Sequence, residues 1–215
     1  ILLTDYEGNS LRTFYIDKKG YIWFGTIDGI YIFDPTDGKL SHYKHSRTDP
    51  FSLPNNSIWE ISEDRQSNVW IGTYSGTLCY VNIDENNAFK TYHPQNSGLN
   101  HTPVSAFAED QQYLWVGTEG GGINRMNKAT GEFSYITSAN SITSNNIKSL
   151  ITDAGHNLWI STFMGGLDLY NVGRQKVTNF KHTKGAPHSL LVNDVRKTIL
   201  EGDSGMWVAY QYQKA

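Results

Sequence analysis

The sequence predicts an all-β protein, a β-propeller of four-stranded antiparallel blades. Five tryptophans, Trp23, Trp70, Trp115, Trp159 and Trp207, recur at intervals of 47, 45, 44 and 48 residues, in runs reading WFGT, WIGT, WVGT, WIST and WVAY. Those runs and their neighbours are short, rich in valine, isoleucine and aromatic residues, and bounded by Gly, Asn, Asp and Ser clusters, which is strand chemistry with no competing helical period. A period of about 40 to 50 residues with one tryptophan per unit marks blades, because a lone four-stranded sheet cannot bury its own faces.

Aligned on tryptophan, each unit opens with an apolar strand: LRTFYI from Leu11, IWEISE from Ile58, VSAFAE from Val104, IKSLIT from Ile147 and VRKTILE from Val195. The strand ends in an acid and a polar turn, as in Asp17-Lys18-Lys19-Gly20, Asp64-Arg65-Gln66-Ser67 and Asp153-Ala154-Gly155-His156, so the tryptophan strand folds back antiparallel. Gly29, Gly76, Gly122 and Gly166 then introduce a third strand, where a glycine suits a bend against neighbouring backbone. A second turn, such as Ala129-Thr130-Gly131-Glu132, leads to a fourth strand. Many strands lack polar alternation, as expected where blades bury both faces of their inner strands. The expected blades are 10–45, 56–93, 103–137 and 146–181, with 194–215 an incomplete fifth, all in one partial propeller domain over 1–215. Closure on four blades, with the Trp207 hairpin completing the ring, is the rival arrangement. An open end predicts dimerisation or a fraying last hairpin.

With 38% hydrophobic and 13% aromatic residues, the 215-residue chain can bury a sizeable core. A net charge of −3 from 18 basic and 21 acidic residues, with no basic block, argues against nucleic acid and against direct membrane contact as partners. The single Cys79, in a third strand, reads as a buried structural thiol. No signal peptide and no apolar run of membrane-spanning length is present.

Two sets of residues are candidates for binding. The connections into each first strand are long, and the turns after each tryptophan strand vary where the repeat is otherwise monotonous: Asp28, Tyr74, Glu119, and Phe163 with Met164. The second residue of each first strand reads Arg12, Trp59, Ser105, Lys148 and Arg196, which would place three cations and an extra indole near a channel mouth. Arg offers a fork to carboxylate or sulfate, and an aromatic face stacks on a sugar ring. Channel lining and interblade packing by aliphatic stems explain the same residues. No catalytic constellation appears. The acids Glu63-Asp64 and Glu109-Asp110 fall at a repeated turn, no nucleophile elbow occurs, and the histidines lack metal-ligand spacing, so neither a catalytic residue, a metal nor a cofactor is expected.

The unit of apolar strand, Asp, turn, Trp-Ile-Gly-Thr, Gly and strand resembles the two-component regulator propeller repeat, with SLPNNSI at 52 to 58 and SNNI at 144 to 147 similar to the segment that precedes its first strand. The last copy departs from it, with Ala209-Tyr210-Gln211 in place of Gly-Thr. The resemblance implies the periplasmic sensor region of a hybrid two-component histidine kinase receptor of Bacteroidetes, whose kinase activity lies elsewhere in the receptor. The implied partners are an oligosaccharide from polysaccharide breakdown, acidic or sulfated on the residues above, the rest of the ectodomain, and a second copy in a homodimer. A propeller lyase similar to streptogramin lyase, needing a general-base His beside a metal-binding carboxylate, and a protein-binding scaffold with an apolar patch around Phe51, Leu53, Phe163 and Met164, are the alternatives.

Overall fold

A computed structural model describes residues 10–74, 78–82, 86–92, 95–202 and 205–211. They form four four-stranded antiparallel sheets and one two-stranded sheet. The first sheet runs β1 (Leu11–Ile16), β2 (Ile22–Thr26), β3 (Gly29–Phe33), β4 (Leu40–Tyr43), and the second β5 (Ile58–Glu63), β6 (Val69–Thr73), β7 (Leu78–Asn82), β8 (Asn86–Tyr92). The third comprises β9 (Val104–Glu109), β10 (Tyr113–Thr118), β11 (Gly122–Asn127), β12 (Phe133–Ile136), and the fourth β13 (Ile147–Thr152), β14 (Asn157–Thr162), β15 (Gly166–Asn171), β16 (Lys176–Phe180). β17 (Val195–Glu201) and β18 (Gly205–Tyr210) pair as the last hairpin. The strands fall within the expected blades. The chain divides into two compact units, Ile1–Asn96 and Ser97–Ala215.

One clasp repeats in every sheet. The acid that closes the first strand accepts the indole N–H of the repeat tryptophan: Asp17 from Trp23 at 2.8 Å, Asp64 from Trp70 at 2.7 Å, Asp110 from Trp115 at 3.0 Å, Asp153 from Trp159 at 3.1 Å, and Glu201 from Trp207 at 2.8 Å. The same carboxylate accepts turn N–H groups, as Asp64 does from Gln66 and Asn68 at 2.9 Å each. The turn also puts its fourth residue at positive φ, Gly20 at 90°, Ser67 at 64° and His156 at 60°. Turn and tryptophan are thus one unit, and the indole can be buried because its only donor is satisfied.

The glycine opening the third strand is required twice over. Gly122 and Gly166 have φ of 72° and 84°, and a Cβ there would sit 2.5 Å from the Ile136 carbonyl oxygen and 2.3 Å from that of Phe180. Only glycine combines that dihedral with such a close approach of the fourth strand.

In the first unit the core gathers Trp23, Ile30, Leu53, Ile58, Ile71 and Phe89, and in the second Trp115, Ile123, Ile147, Leu158, Ile160 and Tyr170. Each such side chain contributes about 1.5–3 kcal/mol when removed from water. Cys79 is fully buried, and burial pushes its thiol far above the usual range, which makes it the inert core residue expected. Leu53, expected in an exposed patch, is instead core at 0% exposure, because its loop folds back onto the sheet.

Two of the long connections are copies of one structure. KHSRTDPFSLPNN from Lys44 and KHTKGAPHSLLVN from Lys181 are equal in length. His45 Nδ1 bonds the Leu53 carbonyl at 2.7 Å and His182 Nδ1 that of Leu190 at 2.8 Å, while Ser52 and Ser189 accept the N–H of Ser46 and Thr183. Asn56 and Asn193 finish both loops, each side chain accepting a backbone N–H, from His45 and His182, and each carbonyl receiving the N–H of Gly29 or Gly166. These loops tie one sheet to the next, and two of the histidines are spent in doing so.

Candidate functional site

The second residue of every first strand is a β-bulge. Pairing skips from Leu11 to Thr13, Ile58 to Glu60, Val104 to Ala106, Ile147 to Ser149 and Val195 to Lys197, leaving Arg12, Trp59, Ser105, Lys148 and Arg196 outside the ladder. A bulge re-aims a side chain away from the alternating faces of the strand. The repeat therefore delivers one redirected side chain per sheet, at the end where the tryptophan strand turns into the third.

In the first unit the guanidinium of Arg12 lies 5.3 Å from the ring of Trp59, which stacks in turn on Tyr74 at 5.2 Å and 12°. Tyr74 is 51% exposed, so the stack presents an aromatic face with a cation at one side. Arg12 has no ion-pair partner among the described residues.

In the second unit Phe163, 40% exposed, lies between Lys148 and Arg196, each cation 5.7 Å from its ring. Glu119 pairs with Lys148, and Asp194 with Arg196. The Arg196 Nη2 bonds Asp194 Oδ2 at 3.2 Å, whereas Nε approaches Oδ1 at 3.2 Å without hydrogen-bond alignment. The sequence placed an excess of cations here; the carboxylates cancel it, leaving a neutral surface of alternating charge around one aromatic ring.

Of the eight residues expected to bind ligand, seven thus assemble into two local clusters. Asp28 does not join them: its carboxylate pairs with Lys44 at 2.7 Å, beside a stack of His42 on Tyr31 at 3.8 Å. The residue following the repeat threonine, equivalent to Tyr74, Glu119 and Phe163, is Ile27, 43% exposed. Counting one residue on from each Thr would have found it. Ser105 is buried and donates to the Ile147 carbonyl at 2.7 Å, joining two sheets. Asp194 was missed because it lies in the connection before the strand, and only the bulge brings Arg196 back to it. Met164, 64% exposed, takes a φ of 61° where the third sheet has Gly120.

Among the described residues no group of three His, Cys, Asp or Glu could hold a metal. Two of the loop histidines, His45 and His182, bond loop carbonyls through Nδ1.

Repeated four-stranded antiparallel sheets, each with a clasped tryptophan and a bulged first strand, define a β-propeller. Residues 5–28, 52–75 and 98–120 each match the two-component regulator propeller family. The chain is 28% identical over 176 residues to Histidine kinase P4 of Formosa agariphila, covering 79% of this chain and 13% of the relative. It is similar to the extracellular domain of a hybrid two-component system of B. thetaiotaomicron, with 25% identity, a TM-score of 0.78, and 94% of this chain matched to 26% of that one. A second such domain from the same organism, 18% identical with a TM-score of 0.73 over 94% of this chain and 32% of that one, shares the fold. The chain thus spans well under two thirds of these relatives.

Proposed function

We propose that this chain is an extracytoplasmic ligand-sensing propeller of a hybrid two-component receptor, without catalytic activity of its own, and that its ligand is an oligosaccharide. The observation that carries this reading is the set of bulges that project Trp59, Lys148 and Arg196 onto exposed Tyr74 and Phe163. Aromatic faces flanked by paired charges match a sugar ring, whose apolar face stacks and whose hydroxyls both donate and accept. Neutralised cations around Phe163 favour a neutral or sparsely charged saccharide there, while Arg12 beside Trp59 accommodates an acidic or sulfated residue. The similarity to extracellular domains of two-component systems supports a periplasmic location and signalling through the rest of a receptor.

A thermal-shift screen of the 215-residue chain against neutral, uronate-containing and sulfated hexasaccharides tests this. A ligand bound only by the folded state raises the unfolding temperature. The expected result is a selective shift that falls by roughly 10-fold in apparent affinity in Trp59→Ala or Phe163→Ala, as loss of one stacking face predicts. No shift with any saccharide, or a shift indifferent to both substitutions, refutes the proposal.

A further inference from the structure

The residue paired across from each repeat tryptophan is Ile32, Tyr80 and Leu169 in the first, second and fourth sheets, but Arg125 in the third. A charge therefore stands where the repeat otherwise puts an apolar or aromatic cover on the indole. Arg125 covers its indole with the flat of its guanidinium, 5.8 Å from the Trp115 ring and 4.6 Å from Tyr113, and its Nε donates to Ser134 Oγ at 2.9 Å. Among the described residues its terminal nitrogens have no hydrogen-bond partner.

Arg125 lines a cleft of about 210 Å³ between the third and fourth sheets, on the side away from the bulged strands. Around it stand the hydroxyls of Ser134, Ser141, Tyr135 and Tyr170 and the amide of Gln175, with no carboxylate in the wall. Tyr135 is already committed to the Gly98 carbonyl at 2.6 Å. Tyr170 lines the same cleft as Arg125, and burial raises its phenol above the ordinary range although the charge of Arg125 acts to lower it. Gln175, at φ 52°, holds a left-handed turn at the rim.

We propose that this cleft binds a small oxyanion, a carboxylate, sulfate or phosphate group carried free or on a saccharide, gripped by the Arg125 fork with Tyr170, Ser141 and Gln175 as further donors. The cleft is separate from the bulge clusters and does not depend on the sensor reading. A cation with unused donors, walled by hydroxyls and lacking a counter-charge, is complementary to an anion and to little else.

The test measures thermal unfolding of the 215-residue chain and of Arg125→Leu with sodium sulfate, sodium phosphate, sodium glucuronate and glucose, against sodium chloride at matched ionic strength. Leucine is what the fourth sheet carries at this place, so the variant should fold. Sulfate and phosphate also stabilise proteins by exclusion from their surface, so the informative quantity is the difference between the two chains. Saturation at about a hundredfold over Kd raises the transition of the parent chain by roughly 5–10 °C more than that of Arg125→Leu. A difference with sulfate or phosphate assigns the site to a free anion; one with glucuronate alone assigns it to a saccharide-borne carboxylate. Should Arg125→Leu not fold, calorimetric titration of the parent chain with each anion decides, with Arg125→Lys expected to weaken binding. Equal shifts in both chains, or no heat of binding with any anion, overturn the proposal.

Discussion

Replacing Asp64 by asparagine tests the clasp that defines each blade. The Asp64 side chain is buried at 4% exposure and accepts four hydrogen bonds: the N–H of Gln66 and Asn68 and the Asn68 amide at 2.9 Å each, and the Trp70 indole at 2.7 Å. Asparagine preserves the shape, but one of its two ends becomes a donor. If Oδ1 keeps the turn, Nδ2 faces the Trp70 N–H and the Asn68 amide, donor against donor. Two charge-assisted bonds are lost, and the indole, 4% exposed, has no water to turn to. A buried donor left without a partner costs about 1–3 kcal/mol and a bond to a charged group contributes about 1.5–3 kcal/mol, so the substitution should destabilise the first unit by roughly 3–4 kcal/mol. Urea unfolding followed by tryptophan fluorescence measures it, with Asp37→Asn, an exposed turn acid, as control. A loss below about 0.5 kcal/mol would show that the carboxylate is incidental and that tryptophan packing alone holds the blade.

Two further expectations follow from the same repeat. Gly122→Ala places a methyl 2.5 Å from a backbone oxygen at φ 72°, whereas Gly131→Ala, at φ 73°, meets open space. Both incur the left-handed cost of about 1–2 kcal/mol, and chemical denaturation should show Gly122→Ala losing at least about 2 kcal/mol more. Partial burial acts to raise the Asp153 carboxyl, but the N–H donors of Asn157, the Trp159 indole and the Gly155 amide outweigh it and hold the group below the ordinary carboxylate range. A depressed folded-state pKa gives stability that is present above the unfolded value near 3.9 and lost as pH falls through the folded one. The second unit should therefore weaken below about pH 4, and Asp153→Asn should be less stable at pH 6 yet show a flatter acid limb in pH-dependent unfolding.

The sequence by itself determined the fold class and the succession of strands, because period, turn chemistry and the glycine before each third strand are local signals. It also singled out Arg12, Trp59, Lys148 and Arg196, since they vary at one fixed position of a monotonous repeat. What the tertiary structure decided is which groups they meet. A bulge shifts pairing by one residue and turns those side chains to neighbours from other strands, and neither the shift nor the partner is encoded at the position itself. Asp194 and Glu119 cancel two of the charges the sequence displayed, and Asp28 is drawn off by Lys44 from the adjoining connection. Two loop histidines, His45 and His182, are spent on carbonyls eight residues away. Arg125 was legible only after register put it opposite Trp115, because its departure from the repeat has meaning only relative to the residue it covers. Strands follow from local spacing; a site is made where distant spacings converge, and only the folded chain fixes that convergence.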